Sequence, residues 1–364
     1  MAKILISPSK YIQGPGELDN LATYVSALGK NALCLITDSG LKRNKTALDE
    51  SFDNSDVSVI YDAFNRECCQ SEISRIMDVC KENNIDIVIG VGGGKTFDTI
   101  KAVGYYLDLP VVIVPTIAST DAPCSALSVI YTEDGVFDSY LFLKQNPNII
   151  LVDTTIIANS PTRLVVAGMG DALATYFEAR ACEASNASTC AAGTTTLAAQ
   201  ALAELCYNTL IDEGYMAKLA ADSKSCTRSL EKIIEANTLL SGIGFESGGL
   251  AGAHAVHNGF TVLPECHHMY HGEKVAFGTL VQLALEDAPM DEISEVLDFC
   301  ITVGLPVTLK ELGIEEITEE KIRAVAEASA VADESIHNMP FEVTADSVYA
   351  AIMVADALGR DYLA

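Results

Sequence analysis

The segment IDIVIG at residues 85–90 is a nearly continuous run of apolar, mostly β-branched residues, and three glycines follow it at 92–94. A strand without polar alternation is buried on both faces, which is typical of a parallel sheet covered by helices on either side. Apolar segments at 32–37 and 111–116 and a helical pattern at 70–84 alternate along the same half of the chain. This β-α-β order predicts a parallel, Rossmann-like sheet.

The second half of the chain has a different pattern. The segments ALSVIYT and VFDSYLFL, with Asp134-Gly135 between them, still predict a β-hairpin. From about residue 160 the chain is rich in Ala, Leu and Glu at helical spacing, and few strand candidates remain. We therefore predict an α/β domain at 1–160 and an all-α domain at 161–364, with the boundary near 155–165.

Composition excludes several classes of partner. The formal net charge of −27 repels nucleic-acid backbones and anionic lipid surfaces, so we expect neither nucleic acid nor membrane as a partner. The apolar run at the amino end is too short for a signal peptide, and no run of 18 apolar residues occurs. We expect a cytoplasmic protein. The 11 cysteines are dispersed without CxxC pairs, which favours reduced thiols.

The glycine turn predicts a phosphate-binding site. Gly92, Gly93 and Gly94 directly follow a buried strand and open a helix, where backbone N–H groups approach a phosphate closely. Neither standard nucleotide motif fits, because Ile89 and Lys95 stand where the Walker and GxGxxG patterns require glycine. A tight turn without a ligand is the alternative, but three successive glycines carry an entropic cost that such a turn does not need.

Polar side chains follow two other predicted strands. Asp38 ends the strand at 32–37, where a carboxylate accepts hydrogen bonds from an adenosine ribose and disfavours a 2′-phosphate. The loop after the strand at 111–116 carries Thr116, Ser119, Thr120, Asp121 and Ser125. Open α/β folds bind ligands at this edge of the sheet. A helix-capping role for Asp38 and a self-capping Ser/Thr loop are the alternatives.

Five of the six histidines lie within 18 residues: His254, His257, His267, His268 and His271. Converging imidazoles favour a metal ion or a proton-transfer site. The pairs 254/257 and 267/271 each have the spacing of one helix face, and spacing alone does not choose between them. Asp171 is a candidate carboxylate ligand, with a helix N-cap as the alternative. The zincin motif HExxH is absent from the sequence.

Four segments together carry a family resemblance: GGGKTFDT, PTIASTDAPCSALSVIY, GIGFESGGLAGAHAVHNG and HHMYHGEKVAFG. The chain resembles, over nearly its whole length, the bacterial glycerol dehydrogenases of the metal-dependent ("iron-containing" or group III) alcohol dehydrogenase family. The resemblance implies a dehydroquinate-synthase-like architecture, a homo-octamer, and NAD in the cleft between the two domains. It makes 1–160 the NAD-binding domain and 161–364 the metal-binding domain.

The resemblance also implies roles for individual residues. Asp171, His254 and His271 would hold a zinc ion and, with Asp121, the polyol substrate. As a mechanistic hypothesis of our own, His257 or a water molecule would carry the released proton outward. The cofactor contacts would come from Asp38, Gly92, Gly93, Gly94, Lys95, Asp98, Thr116, Ser119, Ser125, Leu127 and Tyr131. Iron-dependent relatives carry a histidine four residues after the ligand aspartate. Thr175 occupies that position here, which favours zinc with three protein ligands.

The implied reaction is the reversible, zinc-assisted oxidation of glycerol to dihydroxyacetone with NAD, with other vicinal diols as further substrates. Alternatives are another NAD-dependent diol or aldehyde dehydrogenase, an sn-glycerol-1-phosphate dehydrogenase and a dehydroquinate-synthase-like lyase. Lys274 is the only lysine or arginine in 240–280, which disfavours the enzymes that bind a phosphorylated substrate. Alternatives of other classes are a phosphotransferase built on Gly94-Lys95-Thr96 and a non-catalytic sensor.

Overall fold

Within residues 1–53 and 55–364, which the computed structural model describes, six strands form one parallel sheet in the order β1-β8-β5-β4-β2-β3. The remaining two, β6 and β7, form an antiparallel hairpin. The strands are β1 (Lys10–Gly14), β2 (Asn31–Ile36), β3 (Ser58–Ala63), β4 (Ile87–Gly92), β5 (Val111–Pro115), β6 (Leu127–Tyr131), β7 (Phe137–Phe142) and β8 (Ile149–Asp153). The predicted parallel sheet is confirmed, and the hairpin turns at Asp134-Gly135 as predicted.

In the part of the chain that the structure describes, four α-helices lie between the strands of the sheet and ten follow the last strand. They are α1 (Leu21–Val25), α2 (Asp38–Asp53), α3 (Gln70–Glu82), α4 (Gly94–Leu107), α5 (Thr154–Ala158), α6 (Thr162–Ser185), α7 (Leu197–Asp222), α8 (Arg228–Glu235), α9 (Ser241–Gly248), α10 (Gly252–Phe260), α11 (His271–Leu285), α12 (Met290–Val303), α13 (Glu319–Ser329) and α14 (Ala345–Tyr362). No helix in 1–53 or 55–364 is both long and apolar enough to cross a membrane.

Alternate side chains of the central strands enter two apolar cores. Leu33 and Leu35 of β2 pack with α3 and α4, whereas Cys34 and Ile36 pack with α1 and α2 on the other face. This double burial explains why the strands lack polar alternation. The larger core continues into the helices after residue 160. The last strand ends at Asp153, close to the predicted boundary, and the division into two domains stays a prediction.

The strand order creates a crevice beside β4. The chain leaves β2 through α2 towards β3, but it leaves β4 through α4 in the opposite direction, towards β5. The two helices therefore cover opposite faces of the sheet. In open α/β sheets, ligands bind at the carboxyl ends of strands beside such a change of direction. The glycines that follow β4 lie at this position.

Two glycines allow α6 and α11 to approach each other unusually closely. A methyl group on Gly170 would lie 2.3 Å from the carbonyl oxygen of Gly272. A methyl group on Gly272 would lie 1.8 Å from the carbonyl oxygen of Ala167 and 2.7 Å from the amide nitrogen of Asp171. The start of α11 therefore rests directly on the backbone of α6. This contact brings His271 next to Asp171.

We expect Gly272→Ala to destabilise the protein, because the added methyl group has no space and α11 must move away from α6. Overpacking of this kind costs about 1–3 kcal/mol in the free energy of unfolding. Chemical denaturation monitored by circular dichroism measures the change. An unchanged denaturation midpoint would show that the two helices are not in backbone contact.

Candidate active site

Three side chains from three helices converge in the helical half. Asp171 lies inside α6, His254 lies on α10, and His271 is the first residue of α11. The Nε2 atoms of His254 and His271 lie 3.4 and 3.0 Å from Oδ1 of Asp171. All three candidate ligand atoms lie within 4.8 Å of one another. Asp171 is not the helix N-cap that the sequence left as its alternative role.

The surroundings of Asp171 fit a metal ion. Its Oδ2 accepts a hydrogen bond from the amide of Asp121 at 3.2 Å. Its Oδ1 is buried and has no hydrogen-bond partner among the residues that the structure describes. Burial raises the pKa of Asp171, but His271 and His254 outweigh burial and hold that pKa well below its usual range. A buried carboxylate oxygen facing two imidazole nitrogens is a donor set that binds Zn²⁺ and related divalent metals.

Glu178 orients His254 from behind. Its Oε2 lies 2.6 Å from Nδ1 of His254, and its Oε1 accepts the backbone amides of Ala251 and His254 at 2.9 Å each. The carboxylate is fully buried. A proton held on Nδ1 by this contact leaves Nε2 of His254 unprotonated and free to bind a metal. Sequence reasoning missed Glu178, although it follows Asp171 by seven residues and so shares its helix face.

Asp121 is fixed by a chain of hydroxyl groups. Ser241 donates from Oγ to Oδ2 of Asp121 at 2.7 Å, and its Oγ lies 2.9 Å from Oγ1 of Thr175. Burial and the neighbouring Asp171 carboxylate raise the pKa of Asp121 well above its usual range. Thr175 therefore supports Asp121 from the position where iron-dependent relatives are expected to carry a further ligand. Ser241 was also missed, because a lone serine in a helical segment has no distinguishing pattern.

His257 borders the metal centre. Its ring meets that of His271 edge-on, with 4.2 Å between the ring centroids. Its Nδ1 lies 3.1 Å from Oδ1 of Asn258, and the amide group of Asn258 donates to both carboxylate oxygens of Glu334. This orientation of Asn258 places the proton on Nδ1 and makes Nε2 of His257 an acceptor. Burial, His271 and Lys274 lower the pKa of His257 well below its usual value.

The remaining histidines bind backbone carbonyls. His267 contacts the carbonyl oxygen of Thr261, His268 that of Glu265, and His337 those of Ala330 and Val331. The predicted pair 267/271 is not on one helix, because the chain turns between the two residues before α11 begins. Of the five clustered histidines, the structure brings only His254, His257 and His271 together.

The predicted cofactor residues line the carboxyl edge of the sheet. Gly92 ends β4, Thr116 directly follows β5, and Asp38 begins α2 just after β2; these three strands are neighbours in the sheet. Thr116 donates to the carbonyl oxygen of Gly92 from both its amide and its hydroxyl group. Asp38 is exposed, and Thr37 rather than Asp38 caps α2 by accepting the amide of Gly40 at 3.1 Å. The capping alternative for Asp38 is therefore not supported.

Gly94 fits the approach of a ligand. A methyl group placed on it would meet no heavy atom within 4 Å, so packing within the protein does not require glycine there. The N-cap residue of α4 is Gly93, which has no side chain that could accept a hydrogen bond from the first turn of the helix. The start of α4 therefore presents backbone N–H groups at the crevice, as a phosphate site requires. These features fit a dinucleotide.

The other predicted cofactor residues are held by contacts within the protein. Lys95 lies 2.6 Å from Glu67, with its ammonium 4.9 Å from the centroid of the Tyr131 ring. Burial raises the pKa of Tyr131 to about 12. Ser119 is half-buried. Asp98 is buried and lies 3.0 Å from Lys101, whose ammonium also contacts Ser125 and Leu127. One oxygen of Asp98 is thus occupied by Lys101, and its contact with the cofactor stays a prediction.

Comparisons with known proteins identify the family. The model of the family "iron-containing alcohol dehydrogenase" matches residues 8–154. A glycerol dehydrogenase of Citrobacter freundii is 54% identical over 364 residues and covers 100% of both chains. The chain belongs to the iron-containing alcohol dehydrogenase family, among its glycerol dehydrogenases. The crystal structure of a Schizosaccharomyces pombe glycerol dehydrogenase superposes on this dehydrogenase with a TM-score of 0.95, at 38% identity, covering 99% of this chain and 92% of that one.

A third relative has a different substrate in its name. The glycolaldehyde reductase of Halobacterium salinarum is 43% identical over 360 residues, covering 99% of both chains. Membership of this family is therefore compatible with more than one small oxygenated substrate. None of these three relatives is named as a phosphotransferase. This chain also lacks the glycine that a Walker motif needs at position 89.

We expect Glu178→Gln to weaken metal binding by about 10- to 100-fold. The new amide group would donate to Nδ1 of His254, and the imidazole proton would then move to Nε2, the atom that must bind the metal. Competition with a chromogenic chelator measures the dissociation constant. Asp356→Asn, at a buried carboxylate that contacts Leu309 and Arg360 instead, is the matched control. Equal affinity in the two variants would contradict this role.

We expect Gly94→Ala to leave the unfolding midpoint unchanged, because the methyl group has space in the free protein. The same methyl group would stand between the backbone and a bound phosphate, so we expect NADH to bind about tenfold more weakly, equivalent to about 1.4 kcal/mol. Fluorescence titration with NADH measures the affinity. Binding as tight as in the unaltered protein would refute the phosphate role of this turn.

Proposed function

We propose that this enzyme catalyses the reversible oxidation of glycerol to dihydroxyacetone with NAD⁺ and zinc. The observation that carries the proposal is the unpartnered Oδ1 of Asp171, which faces the imidazoles of His254 and His271 and lies beside the loop that follows β5. The full-length relatives named glycerol dehydrogenase support it.

The metal ion and NAD⁺ would supply the electrophilic chemistry. When bound, the metal polarises the C2 hydroxyl of glycerol and NAD⁺ accepts the hydride that leaves C2, giving dihydroxyacetone, NADH and a proton. Asp171, His254 and His271 would hold the metal. One carboxylate, two imidazoles and Thr175 in place of a further histidine favour zinc with open positions for substrate oxygens.

The chain's own residues bind and orient the substrate. Asp121 is suited to accept a hydrogen bond from a substrate hydroxyl, because Ser241 and the contact with Asp171 fix its position. Two adjacent hydroxyl groups can reach the metal and Asp121 together, so we expect vicinal diols to be preferred over simple alcohols. Lys274 is buried and is the only lysine or arginine in 240–280, which disfavours a phosphorylated substrate.

His257 is suited to accept the hydroxyl proton. With Nδ1 donating to Asn258, its Nε2 presents a lone pair, and the edge-on contact keeps the ring beside His271. A neutral imidazole accepts and releases a proton at modest cost. His257 would thus pass the proton from the substrate towards solvent.

Two further properties belong to the proposal. We expect the enzyme to act in the cytoplasm, because reduced cysteines and NAD-dependent metabolism suit that compartment. We also expect a homo-octamer, as the resemblance implies.

Measuring NAD⁺ reduction with glycerol, other vicinal diols, simple alcohols and glycolaldehyde, with metal content determined on the same sample, tests this function. We expect glycerol and vicinal diols to be oxidised, chelation to abolish the rate, and Zn²⁺ to restore it. Asp171→Asn should lower kcat/KM by several orders of magnitude. A preference for glycolaldehyde reduction would instead favour the second candidate, an aldehyde reductase. Full activity after complete removal of metal would refute the metal role.

A further inference from the structure

The loop between β5 and β6 contains Asp121 and Ser125 and leads into β6 at Leu127. It has no regular secondary structure. A sheet ladder or a helix therefore does not fix these side chains. Dehydrogenation requires the substrate, the metal and the nicotinamide to be aligned closely, and an error of about 1 Å can cost 10²-fold in rate. Other contacts must hold the loop in place.

A buried lysine holds the loop from the side of the sheet. Lys101 of α4 is 1% exposed, and its ammonium donates to the carbonyl oxygens of Ala122, Ser125 and Leu127. Asp98, one helical turn earlier, balances the charge at 3.0 Å. Among the described residues, the polar partners of this lysine are the loop, the first residue of β6 and the counter-ion. Its three donors suit several carbonyl groups at once.

A buried glutamate holds the same loop from the helical half. Glu246 of α9 is 2% exposed, and its Oε1 accepts the amide of Ala126 at 2.6 Å. Its Oε2 accepts the side-chain amide of Asn146, which also donates to the carbonyl oxygen of Cys124 at 2.9 Å. Burial raises the pKa of Glu246 to about 7, while the amides of Ala126 and Asn146 and the charge of Lys101 counteract the rise.

The two charges contact complementary groups of one short segment. Lys101 donates to backbone carbonyl oxygens of this segment. Glu246 accepts the backbone amide of Ala126 and the side-chain amide of Asn146, which in turn donates to the carbonyl oxygen of Cys124. Burying a charge is costly unless hydrogen bonds compensate it, and an apolar pair of similar volume is often as stable. Stability alone therefore gives a weak reason for a lysine and a glutamate on opposite sides of this loop. Their position between the two halves of the molecule gives a stronger one.

We propose that Glu246 is a positioning residue for the reaction, because it fixes residues 121–127 to the helical half and so sets Asp121 and the cofactor-side residues against the metal centre. The expected effect of Glu246 on the rate rests on the proposed function. The role of Glu246 in holding residues 121–127 does not. Lys101 anchors the same loop to the sheet. Together they fix the distance between the metal ligands and the end of β5.

The test is Glu246→Gln, which keeps the shape of the side chain but leaves either Ala126 or Asn146 without an acceptor. We expect hydrogen–deuterium exchange to rise in peptides covering 121–127, because opening of the loop becomes easier. We expect kcat/KM for glycerol to fall by about 10- to 100-fold. Metal affinity should stay within twofold, because none of the three metal ligands contacts Glu246.

Two controls separate positioning from general destabilisation. Asp356→Asn removes the charge of another buried carboxylate that accepts a backbone amide, far from the loop, and should leave exchange at 121–127 and kcat/KM unchanged. The second control is the chemical-denaturation midpoint of both variants, which distinguishes local opening at 121–127 from a general loss of stability.

Unchanged exchange at 121–127 in Glu246→Gln would overturn the proposal, as would equal losses of activity in Glu246→Gln and Asp356→Asn. Failure of the proposed function is distinguishable, because it would appear as absence of glycerol oxidation in the unaltered enzyme. The exchange measurement would still decide whether Glu246 holds the loop.

Discussion

The two oxygens of Asp171 make different contacts, and the site depends on this division. Oδ2 binds the backbone amide of Asp121, while Oδ1 faces the imidazoles of His254 and His271 without a hydrogen bond of its own. One carboxylate therefore links the loop at the end of the sheet to the candidate metal centre. A buried anion in this position is stable only with a cation beside it.

The backbone around this carboxylate makes the arrangement possible. Gly170 and Gly272 let α6 and α11 touch, so that His271 reaches Asp171 from the first residue of its helix. Glu178 fixes the imidazole of His254, and Ser241 fixes Asp121. Asp171, His254 and Asp121 are thus each held by a further hydrogen bond besides the contact they would make with the metal or the substrate. Such support keeps a site in its productive geometry before the ligands arrive.

Local patterns in the sequence predicted the framework but not the convergence. Apolar runs predicted the parallel sheet, because strands buried on both faces leave that pattern. The strands β1 and β8 were not predicted. They pair with each other although nearly the whole first half of the chain separates them in sequence, and a local pattern does not show such a pairing. The spacing of histidines did not identify the ligands, and Asp171, His254 and His271 came from the family resemblance. Their meeting depends on contacts between helices that are distant in sequence.

Anomalous diffraction at the zinc edge, from crystals of the metal-loaded enzyme, tests the central claim most directly. The account predicts one strong peak per chain, about 2.0–2.2 Å from Oδ1 of Asp171 and from Nε2 of both His254 and His271. A peak bound by other side chains, or a metal-loaded, active enzyme with no peak at these three residues, would contradict it.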